Sequence, residues 1–484
     1  MTADKLTRNF KLAYGSGQFA FGAMSYAMAI FLLFYYNQVL GLSSGLTGLA
    51  IGLALIVDAF SDPLVGSVSD NWRSRYGRRH PFLYASILPA AISLFFLFNP
   101  LVTSDLGLVI WLVIFSNATR TAMSLFNVPH ISLGAEISED FDERSELAAY
   151  RMFFQYAGSL FVLVVGFYFF FASTPEFQNG QLNAAAYPRF ALMLSILVAV
   201  SIFLTAWGTR SIVPSLTVPP EGPRVSLVET LFRVIADVRS AVRSRSFRWF
   251  VAGNLTIFVI VGVNASLDLY IFTYFWEFES EEVLLVIIAY PIGLMLGAPF
   301  APRVIGRFDK RAVLALGTLA WGVWQMLPVS LRLLNLFPEN GSVTLIPLLI
   351  GIKLIQGVCT VQSDVAAGAL VADIADENEL ESGKRQEGIF FAAMSFSWKA
   401  TSGVGSVVAG LALELINWPA GSHIQSAADI PPETLVKLGV IYGPLIASLT
   451  LVTVWCYLHL DLSRQKHEAT LTELAKRRTA SQVD

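Results

Sequence analysis

The 484-residue chain is short of charge. Asp, Glu, Lys and Arg make up 14% of it, against about 25% in soluble domains, which excludes an ordinary soluble globular protein. It is also short of cysteine: Cys359 and Cys456 both lie in apolar stretches, so a disulfide framework is excluded and two buried, inert thiols are expected. The five histidines, His80, His130, His423, His459 and His467, are scattered. No Ser/His/Asp, metal-ligand or phosphate-loop constellation accompanies them, so neither an enzyme nor a cofactor is expected. Basic residues are not in excess, with 33 Lys and Arg against 36 Asp and Glu, and nucleic acid is not an expected partner.

What the chain does have is apolar length. Hydrophobic residues make up 55% and aromatics 13%, with a mean hydropathy of +0.59, the composition of an all-α integral membrane protein. Segments long enough to cross about 30 Å of hydrocarbon fall near 12–38, 44–68, 82–102, 106–133, 148–173 and 188–210, then near 248–276, 283–304, 312–336, 344–371, 387–415 and 435–460. The charged start at Lys5, Arg8 and Lys11 resembles a signal peptide, but the apolar run is too long and no small-residue cleavage site follows. It reads as the first of twelve transmembrane helices.

The spacing defines four regions: an N-terminal six-helix bundle over 1–210, a central loop over 211–247 rich in Pro and Arg, a C-terminal six-helix bundle over 248–460 and a tail over 461–484. Lys and Arg collect in the N-terminal tail, at Arg73, Arg75, Arg78 and Arg79, in the central loop, at Arg303, Arg307, Lys310 and Arg311, and in the C-terminal tail. By the positive-inside rule both termini are expected in the cytoplasm. The halves also share punctuation. Arg75–Arg79 follows the second helix and Arg307–Arg311 the eighth, while Ala135-Glu-Ile137 follows the fourth and Ala372-Asp-Ile374 the tenth. A duplicated six-helix unit would produce that pattern.

Ionisable residues inside the helices carry the functional argument, because a charge at membrane depth is tolerated mainly in a bundle interior or a watered cavity. They are Asp58 and Asp62 in the second helix, Arg120 in the fourth, Asp268 in the seventh, Lys353 and Asp364 in the tenth and Lys399 in the eleventh, with Arg151 opening the fifth. At helical pitch Asp58 and Asp62 share one face, with Ser61 between them. Arg120, Ser124 and Asn127 lie near one face of the fourth helix, and hydroxyl and amide oxygens suit a hard cation. The carboxylate pair therefore reads as a cation or proton site. His130 is a possible contributor to proton coupling; a helix-end hydrogen bond explains it as well. The small-xxx-small spacing of Gly15, Gly17 and Gly22, and of Gly45, Gly48 and Gly52, points to close helix packing.

These residues resemble the glycoside-pentoside-hexuronide:cation symporters of the major facilitator superfamily, the group of the bacterial melibiose transporter. The resemblance rests on Tyr35-Tyr36, Asp58-Ala-Phe-Ser61-Asp62-Pro63, Asp70-Asn-Trp-Arg-Ser-Arg-Tyr-Gly77, Tyr150-Arg151, Val371-Ala-Asp-Ile374 and Lys399, in order along nearly the whole chain. It implies the major-facilitator fold and makes Asp58 and Asp62 the coupling-cation carboxylates, holding Na⁺ itself if sodium is the coupling ion, with Ser61 and Ser124 as further oxygen ligands. It makes Arg151 and Lys399 basic residues of the substrate cavity. The sugar side departs from the family pattern: Gly22 and Asn127 stand where a melibiose-type site has two acids, and Asp364 replaces a stacking tryptophan. Lost hydrogen bonds to sugar hydroxyls are costly, which weighs against a galactoside.

The expected activity is cation-coupled (Na⁺ or H⁺) symport of a small organic solute, sugar- or glycoside-like, by alternating access. The expected substrate cavity takes in Gly22, Arg120, Asn127, Arg151, Asp364 and Lys399, and the expected gate Arg75, Arg78 and Arg79. The expected setting is a monomer, surrounded by lipid in a bacterial inner membrane. Two alternatives are a sodium-dependent lysophospholipid-type symporter, which Tyr150-Arg151-Met152 and the stretch from Glu387 to Phe391 also resemble, and a non-transporting sensor on the same scaffold.

Overall fold

The computed structural model describes residues 6–138, 140–216, 244–382 and 403–480. Lys399, the 387–391 stretch and most of the central loop lie outside the described residues. Among the described residues the chain is all-helical. Among the described residues ten helices are long and apolar enough to cross a membrane, and two shorter apolar ones, Ser44–Leu55 and Gly403–Leu415, accompany them. The chain is a multi-pass integral membrane protein.

In order the helices are α1 (Arg8–Phe34), α2 (Ser44–Asp70), α3 (His80–Leu97), α4 (Asp105–Ile137), α5 (Phe141–Val165), α6 (Ala186–Gly208), α7 (Arg245–Tyr270), α8 (Ser280–Gly297), α9 (Lys310–Leu333), α10 (Leu345–Ser382), α11 (Gly403–Leu415), α12 (Pro432–Leu458) and α13 (Arg464–Ala480). Their starts follow from capping. Thr7, Ser43, Ser104, Asp140 and Ser244 each accept a backbone N–H of the first turn through the side chain, satisfying a donor that the helix itself leaves open. A π-turn closes α1 at Tyr35–Val39 and another closes α7 at Ile271–Phe275.

Several ends run past the expected ones. The fourth helix reaches Ile137, the fifth starts at Phe141 and the tenth extends to Ser382. Acidic residues that read as loop are held there by partners: Glu136 by Arg78 and Arg79, Asp373 by Lys310, and Glu377 by Lys466.

The chain divides into two compact units. The first comprises Met1–Arg233, Phe278–Glu281 and Ser406–Asp429. In it α1 packs on α5 and α6, α2 on α4, and α3 on α4 and α6. The α1–α5 seam is closest at Gly22 and Gly158. A Cβ on Gly22 would strike the Gln155 carbonyl, and one on Gly158 the Phe19 carbonyl. An aromatic core, including Tyr35 stacked on Tyr187 at 4.1 Å, fills one end. Within the same unit the Glu414 carboxylate accepts from Gly45 N at 3.1 Å and Ser44 Oγ at 3.2 Å, where the open N–H groups of α2 favour an anion.

The second unit comprises Val234–Glu277, Glu282–Gly405 and Ile430–Asp484. There α9 packs on α10 and α12, and α7 on α12. Phe247, Phe250, Leu314, Leu370, Ile374 and Tyr457 belong to its core.

The duplicated punctuation has a structural counterpart inside each unit. In the first, Arg78 Nη2 lies 2.9 Å and Arg79 Nη2 2.7 Å from Glu136 Oε1, and Arg79 also meets Asp70 and Ser69. In the second, Lys310 Nζ lies 2.7 Å from Asp373 Oδ2. In both, a basic residue after an even-numbered helix holds the acidic end of the helix two further on.

Candidate functional site

Asp58 sits on α2, fourteen residues beyond Ser44, a depth of about 21 Å at 1.5 Å per residue. It is buried. Its Oδ1 accepts a hydrogen bond from Ser124 Oγ of α4 at 3.3 Å, and its Oδ2 lies 3.6 Å from Arg120 Nη1 of the same helix. The spacing of Arg120 and Ser124 makes this possible, since residues four apart stack along one helix face and straddle one carboxylate. Asp62, half-buried, follows one turn further along α2.

Ser61 is buried, but its hydroxyl donates to the Val57 carbonyl at 3.0 Å. Only its lone pairs are left to serve a cation. The carboxylate of Asp58 thus already holds a positive partner, Arg120, whose Nε is buried without a hydrogen bond. Such an arrangement can exchange one positive charge for another at Asp58, because a bare buried carboxylate would cost several kcal/mol.

A second polar cluster in this unit joins α1, α4 and α5. Gln18 Nε2 donates to Asn127 Oδ1 at 2.8 Å and to His130 Nδ1 at 3.0 Å. His130 Nε2 in turn donates to the Tyr14 carbonyl at 2.8 Å, and the Tyr14 ring stacks on His130 at 4.4 Å. A carbonyl can only accept, so these partners assign the neutral Nε2–H tautomer to His130 and leave no lone pair for a further proton. Arg151 faces the Tyr14 hydroxyl. Gly22 lies in the α1–α5 seam against the Gln155 backbone, so helix 5 fills the space beside it.

Of the expected gate residues, Arg78 and Arg79 share Glu136, and Arg79 is the more buried, at 4% exposure of its side chain. Arg75 is exposed and lies over the Tyr76 ring at 4.8 Å. The network ties the ends of α2, α3 and α4 together within one unit.

The second unit holds its own charged cluster. Tyr442 Oη of α12 donates to Asp268 Oδ1 of α7 at 2.6 Å, and Lys353 Nζ of α10 donates to Gln325 Oε1 of α9 at 3.1 Å. The Lys353 ammonium and the Asp268 carboxylate are within electrostatic range. Asp364 is exposed on α10, within electrostatic range of Tyr290 and Tyr457. The charges of this cluster are legible in the sequence. Its neutral members, Asn264, Gln325 and Tyr442, are not, because a lone polar residue on an apolar helix usually serves helix packing.

The family described as MFS/sugar transport protein matches residues 13–464. The chain belongs to it, within the glycoside-pentoside-hexuronide:cation symporters of the major facilitator superfamily, and is a membrane transporter and not an enzyme. It is 24% identical to the putative glycoside/cation symporter YagG of Escherichia coli (strain K12), covering 90% of this chain and 88% of that one. It is 22% identical to the isoprimeverose transporter of Lactiplantibacillus pentosus, covering 90% and 85%. The xylose transporter XylE of E. coli, solved in a partially occluded inward-open conformation, superposes with a TM-score of 0.59 at 14% identity, covering 94% of this chain and 98% of that one. That likeness bears on the fold, which is the major-facilitator fold.

Proposed function

We propose that the chain is a secondary active symporter in which Na⁺ or H⁺ binding at Asp58 and Asp62 drives uptake of a neutral, sugar- or glycoside-like solute by alternating access. The observation that carries this reading is the buried Asp58 carboxylate held between Ser124 and Arg120. A cation arriving at Asp58 takes over the charge compensation that Arg120 provides. Arg120 is thereby released toward the solute, and solute and cation favour each other's binding by equal amounts, as linkage requires. Asp62, Ser61 and Ser124 complete the oxygen set, while Asn127, Arg151, Asp364 and Lys399 belong to the solute side. The relatives described above as a putative glycoside/cation symporter and an isoprimeverose transporter support the substrate class.

In this reading 1–210 and 248–460 are the two rocking bundles, joined by a cytoplasmic loop over 211–247 and followed by a cytoplasmic tail over 461–484. The protein works as a monomer in a bacterial inner membrane. Arg75, Arg78 and Arg79 secure the cytoplasmic gate, with the shared Glu136 carboxylate as its pivot.

The test is solute uptake into proteoliposomes, with D-xylose and methyl β-D-glucoside as probes, under an imposed Na⁺ or H⁺ gradient. Asp58→Asn and Asp62→Asn should abolish gradient-driven accumulation. Accumulation by both variants at the parent level would overturn the assignment.

A further inference from the structure

Asp268, Lys353 and Tyr442 meet in the second unit with two amides, Asn264 and Gln325. All five come from the membrane-embedded parts of α7, α9, α10 and α12. Gln325 cannot turn its amide round. Its Oε1 already accepts from Lys353 Nζ at 3.1 Å and from Gln356 Nε2 at 3.0 Å, and a flipped amide would set its NH₂ against both donors. The Gln325 Nε2 is therefore aimed away from them, toward the Tyr442 oxygen, as is the Asn264 nitrogen.

Neither nitrogen attains hydrogen-bond geometry: Asn264 Nδ2 and Gln325 Nε2 are both buried without a partner. The residues are 8% and 2% exposed. A cluster built only to join helices would satisfy its donors, since an orphaned buried donor is costly. The only hydrogen of the Tyr442 hydroxyl is committed to Asp268 Oδ1 at 2.6 Å. The Tyr442 oxygen that both amides face does not come within hydrogen-bond geometry of either nitrogen, so the two donors stand unmatched beside the Asp268 carboxylate.

Ligand chemistry follows from those neighbours. An anionic group would accept from the amides but face Asp268, and a cationic group would face Lys353 and donate where donors already crowd. A hydroxyl accepts from an amide and donates to a carboxylate through the same oxygen. Below the cluster, Gln356, Thr360 and Asp364 continue a polar stripe down the Lys353 face of α10, at the three- and four-residue spacing that keeps side chains on one helix face.

We infer that Asn264, Gln325, Tyr442, Asp268 and Lys353 form a binding site for adjacent hydroxyl groups of a neutral polyhydroxylated solute, separate from the cation carboxylates. The site deepens the symporter reading and rests on it for the identity of the solute as cargo. The amides and Lys353 act as donors to the ligand oxygens and Asp268 as acceptor.

The experiment is thermal stability of the purified chain in detergent, with added D-xylose, methyl β-D-glucoside, isoprimeverose and sodium D-glucuronate, in NaCl and in KCl and over a series of pH values. A ligand that prefers the folded state raises the midpoint. In the parent chain the neutral sugars should raise it. In Asn264→Leu, which removes an unpartnered donor and leaves the Gln325 acceptor of Lys353 and Gln356 in place, the unliganded midpoint should be equal or higher. The sugar concentration for half-maximal shift should rise about 10-fold or more. Tyr442→Phe, nearly isosteric, should weaken the sugar response in the same direction should Asn264→Leu fail to fold.

An unchanged sugar response in either folded variant overturns the site, as does a parent chain that responds to glucuronate and to no neutral sugar, or to none of the four. A sugar response that is lost in the variants but is the same in NaCl and KCl and at every pH supports the site and counts against the coupling.

Discussion

Replacing Arg120 by leucine removes the charge that, in the proposed mechanism, competes with a cation at Asp58, and the sign of the result is set by the geometry. The Nη1–Oδ2 separation is 3.6 Å, with the side chains 21% and 11% exposed. At an effective dielectric near 20 that separation corresponds to a gross attraction of about 4–5 kcal/mol. The contact is too long for a hydrogen bond and desolvation offsets much of the attraction, leaving about 1–2 kcal/mol. At about 1.4 kcal/mol per factor of ten, Arg120→Leu should tighten apparent cation affinity roughly 5- to 30-fold. Na⁺ titration of the thermal midpoint at fixed pH, and pH titration without Na⁺, read that affinity. The variant should be less stable than the parent without the cation and recover with it. A folded variant whose cation response is unchanged or weaker would refute competition and leave Arg120 a structural partner of Asp58.

Three other perturbations follow from contacts outside that pair. Glu136→Gln removes the shared partner of Arg78 and Arg79, leaves the 4%-exposed Arg79 with only Asp70 and Ser69, and should lower stability by about 2–4 kcal/mol in thermal or denaturant unfolding. Gly22→Ala places a methyl group against the Gln155 carbonyl and should cost about 1–3 kcal/mol through forced separation of α1 and α5, read as a lower midpoint with uptake reduced in proportion. In the tail, burial opposes the Lys466 charge, but hydrogen bonds to Glu377 and Asp461 outweigh it and hold the ammonium above its ordinary value. A group raised in the folded state stabilises fully below its unfolded value of about 10.4 and loses that contribution as pH rises through the folded value. The protection of α13 amides, relative to their intrinsic base-catalysed exchange, should therefore fall at alkaline pH, and Glu377→Gln should weaken that fall.

The Asp58–Asp62 pair is legible from spacing alone, because two acids four apart in an apolar run share a face, and Arg120 and Ser124, four apart on the fourth helix, share another. Where the Ser61 hydroxyl donates is not legible. A serine in a helix can bond its own backbone, and that choice is made by packing around its rotamer. The paired loops were readable as punctuation, and the structure turned the match of Glu136 with Asp373 into the same basic-to-acidic contact in each unit. The ends of α4, α5 and α10 were read short because acidic residues suggest loops until their basic partners are known. The resemblance puts Gly22 on the solute side, whereas the glycine spacing around it points to the helix seam in which it lies. The Asp268 cluster was half visible: its charges stood out against an apolar background, while the amides depend on four helices from distant parts of the chain meeting at one place.

The central claim is that Asp58 binds the coupling cation, and the most direct measurement is charge translocation by reconstituted protein on a solid-supported membrane after a jump in methyl β-D-glucoside. The account predicts a transient current in the parent that depends on Na⁺ or on pH and is absent in Asp58→Asn, with solute binding to the variant retained but no longer cation-dependent. An undiminished, cation-dependent current from a folded Asp58→Asn protein would contradict it.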